Sequence, residues 1–175
     1  MTEPSHAAET IRAFANTVDI EAGTDELGTP AAFGHWLAST GLADGLPTVL
    51  AAEHEDTLAL RAVIRAALGA DGTGRPESTS PVLVRFPVFI TIGAGADRIL
   101  APPQDSSAVS SALTTLMIDW ARLLLTGEVQ RLKRCAEDSC GWVFWDTSKN
   151  HSRRWCSMRI CGNRAKARRY AARHH

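Results

Sequence analysis

The only four cysteines of the chain fall in its last quarter, as Cys135-x4-Cys140 and Cys156-x4-Cys161 with fifteen residues between the pairs. Two short loops, each able to fold back on one ion, and a connector long enough to cross between them are what a tetrahedral metal requires. Four thiolates suit zinc or iron, and two disulfides in any of three connectivities would use the same residues. The opening Met1-Thr-Glu-Pro-Ser-His6 has no basic start, and no apolar signal core follows it. A reducing cytoplasm is therefore the expected setting, where paired cysteines more often bind metal than each other. Zinc, as one structural ion, is the favoured reading, with His151 the weaker candidate for a replacement ligand. Residues 129–175 are too few to bury a core that offsets their ordering entropy, so the metal is expected to staple this segment and its removal to unfold it.

Charge supplies the second clue. The formal net charge is zero, yet residues 1–130 hold 7 Lys+Arg against 16 Asp+Glu, and residues 131–175 hold 12 against 3. The halves carry −9 and +9. Four ionised thiols around zinc would lower the tail by about two charges and still leave a polyanion attractor. Nucleic acid is the natural partner. After Cys161-Gly162, the run Asn163 to Arg173 reads as a short helix capped by Asn163, with Ala167, Tyr170 and Ala171 on one face. Arg164 and Arg168, and Arg169 and Arg173, are like-charge pairs at i,i+4 whose repulsion a phosphate backbone would relieve. The plain alternative is a solvated basic tail.

Trp142-Val-Phe-Trp145 is aromatic and β-branched enough for a strand, and Val129 to Arg134 can pair with it. Hairpin, loop and helix together make a treble-clef-like unit. The connector from Asp146 to Trp155 presents Lys149, Arg153 and Arg154 among small polar side chains, a mixture suited to phosphate and sugar. The expected phosphate contacts are Lys149, Arg153, Arg154 and Arg159, and the expected base contacts Arg164, Lys166, Arg168 and Arg169. Trp142, Trp145 and Trp155 read as core; an exposed one would suit base stacking.

These residues bring a known family into view. Cys161-Gly162-Asn163-Arg164, preceded by Asp146-x-Ser148-x-Asn150 and Ser152-Arg-Arg-Trp-Cys-Ser-Met158 and followed by Ala165-Lys-Ala167, closely resembles the CGNR zinc finger, a bacterial family named for that tetrapeptide. The match covers about residues 131 to 173. The resemblance implies Cys135, Cys140, Cys156 and Cys161 as zinc ligands and a DNA-binding role within transcription regulators. Such proteins carry an N-terminal ABATE domain of stress-induced regulators, and Phe14-x-Asn16-Thr17-x-Asp19 resembles its opening motif.

The elements that must position this module come first in the chain. The expected fold class is α+β: a mainly helical N-terminal domain over 1–128 with a small sheet, then the zinc module over 129–175. Thr29-Pro30 starts a helix closed by Gly41, with Phe33, Trp36 and Leu37 on one face. A second helix follows Pro47 and runs to Gly69, burying Leu60, Ile64, Ala67 and Leu68 and turning Arg61 and Arg65 to water. A third begins after a capping Asp105 or Ser106 and carries Val109, Leu113, Leu116, Met117, Trp120, Leu123 and Leu124 as an apolar stripe ending before Gly127. Val82 to Ile92 is β-rich with Pro87 demoting it to an edge, Gly93-Ala-Gly95 can turn it, and Asp71 to Pro81 is a loop by composition. No membrane span and no internal repeat is expected.

Catalytic candidates are poor, and no enzyme is expected. Glu53-His54-Glu55-Asp56 lacks the second histidine of a His-Glu-x-x-His metal motif and reads as acidic surface near a helix start. His35 reads as a helix histidine and Gly93-x-Gly95 as a weak phosphate cradle. Asn16 and Thr17 are candidates for ligand contacts, against a turn network of Asx type. The expected function is a zinc-dependent DNA-binding regulator whose N-terminal domain senses a signal or makes a homodimer. The alternatives are an RNA-binding zinc protein and a zinc-stabilised protein adaptor.

Overall fold

The structure, a computed structural model, describes residues 3–69, 81–92 and 99–173. The chain opens with α1 (His6–Ala15), capped by the Ser5 hydroxyl, which accepts the Ala8 amide. Its apolar spacing buries Ala8, Ile11, Phe14 and Ala15 completely. A two-residue hairpin follows, β1 (Val18–Asp19) antiparallel to β2 (Thr24–Asp25). Next come α2 (Pro30–Thr40) and α3 (Ala51–Ala67). The expected Thr29 cap, Pro30 start and left-handed Gly41 stop of α2 are all present. A second hairpin pairs β3 (Phe89–Ile90) with β4 (Leu100–Ala101), and the long α4 (Ala108–Thr126) crosses the domain.

Two expectations about these elements need correction. The cap of α4 is Ser107, whose hydroxyl accepts the Ser110 amide, rather than Asp105 or Ser106. Leu83–Arg85 form a 3-10 turn instead of a strand. Val82 and Phe86, four apart, are both buried against the core, and that helical spacing prevails over the β propensity of the run. Of the loop expected over Asp71 to Pro81, residues 71–80 lie outside the described residues, as does the Gly93-Ala-Gly95 turn.

By length and composition α4 could cross a bilayer. Here its apolar face packs on other helices, with Val109, Ala112, Leu113, Leu116 and Leu123 all buried in one core. That core also holds Phe14, Leu27, Phe33, Leu37, Leu60 and Ile64. Each such side chain, fully removed from water, contributes roughly 1.5–3 kcal/mol before its entropy cost. The same core extends into the C-terminal segment, where Leu132, Val143 and Trp145 belong to it. They come from β5 (Leu132–Arg134) and β6 (Val143–Trp145), paired antiparallel with Arg134 opposite Val143. A π-helical turn, Met158–Gly162, leads into the last helix, α5 (Asn163–Ala171).

Arg61 and Arg65 correct a third expectation, because they are buried, 6% and 7% exposed, where water-facing side chains were expected. Arg61 forms a double hydrogen bond with Asp25 at 2.7 and 2.5 Å and donates to Thr17. Arg65 donates to the carbonyls of Ala15 and Gly141. The helix turns these charges inward because acceptors from distant parts of the chain meet them there.

Candidate metal centre and basic surface

Cys135 follows β5 directly, and its amide donates to the Trp142 carbonyl at 2.8 Å, so the strand ladder sets its position. The loop then turns tightly: Cys140 and Gly141 both donate to the Glu137 carbonyl, at 2.9 and 3.1 Å. Gly141 has φ +58°, and a Cβ there would lie 2.7 Å from Ile20 Cδ1, so the turn admits little else. The connector is brought back by Ala136, whose amide donates to Arg154 at 2.9 Å. Ser157 then caps the π turn through the Ile160 amide, carrying Cys161 inward.

The four Sγ atoms lie within 4.8 Å of one another, with Cys140–Cys156 at 3.6 Å and Cys156–Cys161 at 3.7 Å. Thiolates at a Zn–S distance of about 2.3 Å on a regular tetrahedron stand about 3.8 Å apart, so the donor set fits one zinc ion. His151 is not among these ligands; its carbonyl accepts from Lys133 instead. Burial raises the Cys135 thiol pKa, but amide donors from Cys156 and Glu137 outweigh it and leave the thiol below its ordinary value. Burial dominates at Cys161, pushed up to about 11, and raises Cys156 further still, with the neighbouring thiols adding to it. Cys135 thus ionises readily, while Cys156 and Cys161 require the cation's charge to release their protons.

A buried ion pair holds the connector. Lys133 and Asp146, 3% and 0% exposed, meet at 2.9 Å. Lys133 also donates to the carbonyls of His151 and Arg153, while Asp146 accepts the amides of Ser148 and Arg153 at 2.8 and 3.0 Å. Sequence reasoning missed this pair, although Asp146-x-Ser148 is an Asx-turn pattern that could have shown it.

The expected nucleic-acid contacts divide into two groups. Arg153 is turned inward, donating to Trp155 and Cys156 carbonyls with its guanidinium 4.9 Å from the Phe144 ring centre. Arg164 pairs with Glu21 at 2.7 Å, and Arg168 makes a two-pronged contact with the buried carboxylate of Glu137. Among the described residues, Lys149, Arg154, Arg159, Lys166 and Arg169 are exposed and form no ion pair. Arg154 stacks on Trp155 at 5.5 Å. No residue of α5 is buried, and Ala167, Tyr170 and Ala171, expected on one face, are all exposed. Nor does Asn163 cap α5: its amide group donates to the Arg159 carbonyl, because the π turn runs straight into the helix. Trp145 is core and Trp155 half-buried, whereas Trp142 is 39% exposed.

Asn16 and Thr17, the candidate ligand contacts, are structural instead. Asn16 exchanges two hydrogen bonds of 2.8 Å with the backbone of Val143. The buried Thr17 hydroxyl donates to Phe14 and accepts from Arg61. Glu53 joins two helix starts, accepting the Leu50 amide and the Ser107 hydroxyl, while His54 meets the Leu27 carbonyl.

A hairpin, a connector and a helix that gather four cysteine sulfurs within 4.8 Å of one another make a treble-clef-like module fitted to zinc. Comparison with known families agrees: residues 131–174 match the CGNR zinc finger, and residues 10–128 match the ABATE family, described as "Putative stress-induced transcription regulator". The chain belongs to the ABATE family and ends in a CGNR zinc finger. No curated protein matches it.

Proposed function

We propose that the protein is a DNA-binding transcription regulator in which residues 129–175 hold DNA through a zinc-stabilised basic surface and residues 1–128 sense a signal or form a homodimer. The observation that carries this reading is α5 with its approach. Lys166 and Arg169 on the helix, and Lys149, Arg154 and Arg159 beside it, are exposed cations without carboxylate partners among the described residues. A module of this size buries only about 600–1,000 Å² on DNA, so two copies are needed for useful specificity. The protein acts in the cytoplasm and catalyses no reaction.

Fluorescence anisotropy of the zinc-loaded chain against random duplex, over a salt series, tests this. Five phosphate contacts give a log-log salt slope of about −4.5. Absence of duplex binding, or binding unaffected by a zinc chelator, overturns the reading. Half-exposed Trp142 favours RNA as the second reading, since an accessible indole stacks on unpaired bases. Preference for single-stranded RNA over duplex, lost in Trp142→Ala, would establish it. Light scattering that finds a monomer with and without DNA would remove the homodimer.

A further inference from the structure

Arg65 carries a buried charge without a counter-charge. It is 7% exposed, and it donates to two backbone carbonyls and to no carboxylate among the described residues. Burial first, then repulsion from Arg134 and Arg61, pushes its pKa below the ordinary value. Leaving a buried guanidinium without a counter-charge is costly, and among the described residues only two acceptors meet its five N–H donors. Arg61, one turn earlier, has Asp25. Arg134, half-buried on β5, has no ion pair among the described residues. These three arginines line one open cavity of about 310 Å³, whose remaining walls include Val18, Leu58 and Ala66.

The geometry points to a binding site for a small oxyanion: a molecule with a phosphate or carboxylate group and a short apolar part sits between α3 and β5, its anionic end on Arg65 and Arg134 and its apolar end against Val18, Leu58 and Ala66. Two planar guanidinium forks facing one cavity match the paired oxygens of such groups. The placement gives the occupant a route to the metal centre. Arg134 immediately precedes Cys135, and Arg65 holds the carbonyl of Gly141, the residue after Cys140. The site therefore touches both ends of the first zinc loop from the N-terminal side, and it does not depend on nucleic-acid binding.

The test is calorimetric titration of the zinc-loaded full chain, without nucleic acid, using inorganic phosphate, phenyl phosphate and benzoate. Phenyl phosphate or benzoate should bind with a Kd near or below about 0.1 mM, and the better of the two identifies the anionic group. Arg134→Gln should weaken binding about tenfold or more, the loss of one charge-assisted hydrogen bond. Ala62→Glu, which adds a carboxylate on an exposed cavity wall, should abolish binding while leaving the circular dichroism spectrum unchanged. Arg169→Gln on α5 should have no effect. Binding by no probe up to about 10 mM, or binding that Arg169→Gln weakens and Arg134→Gln does not, overturns the proposal.

Discussion

Replacing Asp146 by Asn isolates the contribution of the buried ion pair that folds the connector between the two cysteine pairs. In the wild type the carboxylate, with a side chain 0% exposed, accepts from Lys133, from the Ser148 amide and from the Arg153 amide. Asparagine keeps the volume, but one of its two terminal atoms becomes a donor facing donors, and the ammonium of Lys133 stays buried without its counter-charge. Removing one partner of a buried pair costs about 3–5 kcal/mol, so denaturant unfolding of zinc-loaded Asp146→Asn should show a loss of that size. Zinc affinity, read by competition with a chromophoric chelator, should fall with it, because Cys156 is positioned through the same connector. Replacing both partners, as Lys133→Met with Asp146→Leu, should recover most of the loss. Burial alone would raise the Asp146 pKa, but the Ser148, Lys133 and Arg153 donors hold it down at about 2, against an ordinary value of 3.8. The pair's contribution is therefore complete above the unfolded-state value and disappears as pH falls through about 2. Acid should release zinc by protonating thiolates at a higher pH than this. A loss below about 1 kcal/mol in Asp146→Asn would mean that Lys133 finds water or another acceptor at no cost and that the pair does not hold the connector.

Chelation should detach only part of the C-terminal segment. Leu132, Val143 and Trp145 lie in the main core, so hydrogen exchange in chelator should rise across residues 154–173 and stay slow in β5 and β6, rather than rise across all of 129–175. Thr114→Val should stabilise the protein by about 1 kcal/mol in denaturant melts, because the Thr114 hydroxyl is buried on α4 without a hydrogen-bond partner among the described residues. Arg159→Ala should reduce the salt slope of duplex binding by about one, whereas Arg153→Ala should reduce zinc affinity, because its guanidinium is held by the carbonyls of Trp155 and Cys156.

Local chemistry in the sequence announces much of this architecture. Thr29-Pro30 and Gly41 bracket α2 because cap, start and stop are decided within a few residues. Cysteine spacing announces the metal centre for the same reason, since each short loop closes on itself. What resisted sequence reasoning is non-local. Arg61 and Arg65 occupy helix positions that look solvent-facing, and they are buried only because Asp25, Ala15 and Gly141 come to meet them. Arg168 reads as a free cation until Glu137, thirty-one positions earlier, is folded beneath it. The separation into a domain and a finger, plain from charge and motif, hides the shared core, because apolar residues do not declare which side they will pack against.

The contact of Asn16 with Val143 has a bearing on solubility. Among the described residues strand β6 pairs with β5 alone, which would leave its other side a template for a strand from another molecule. The Asn16 amide group satisfies both the N–H and the C=O of Val143 there, acting as a one-residue substitute for a third strand. A finger cut away from its N-terminal partner would lose that cover, and it would offer an open β edge beside a newly bared Val143 and Trp145. Self-association of the isolated finger would then reflect its excision and not an assembly of the intact protein.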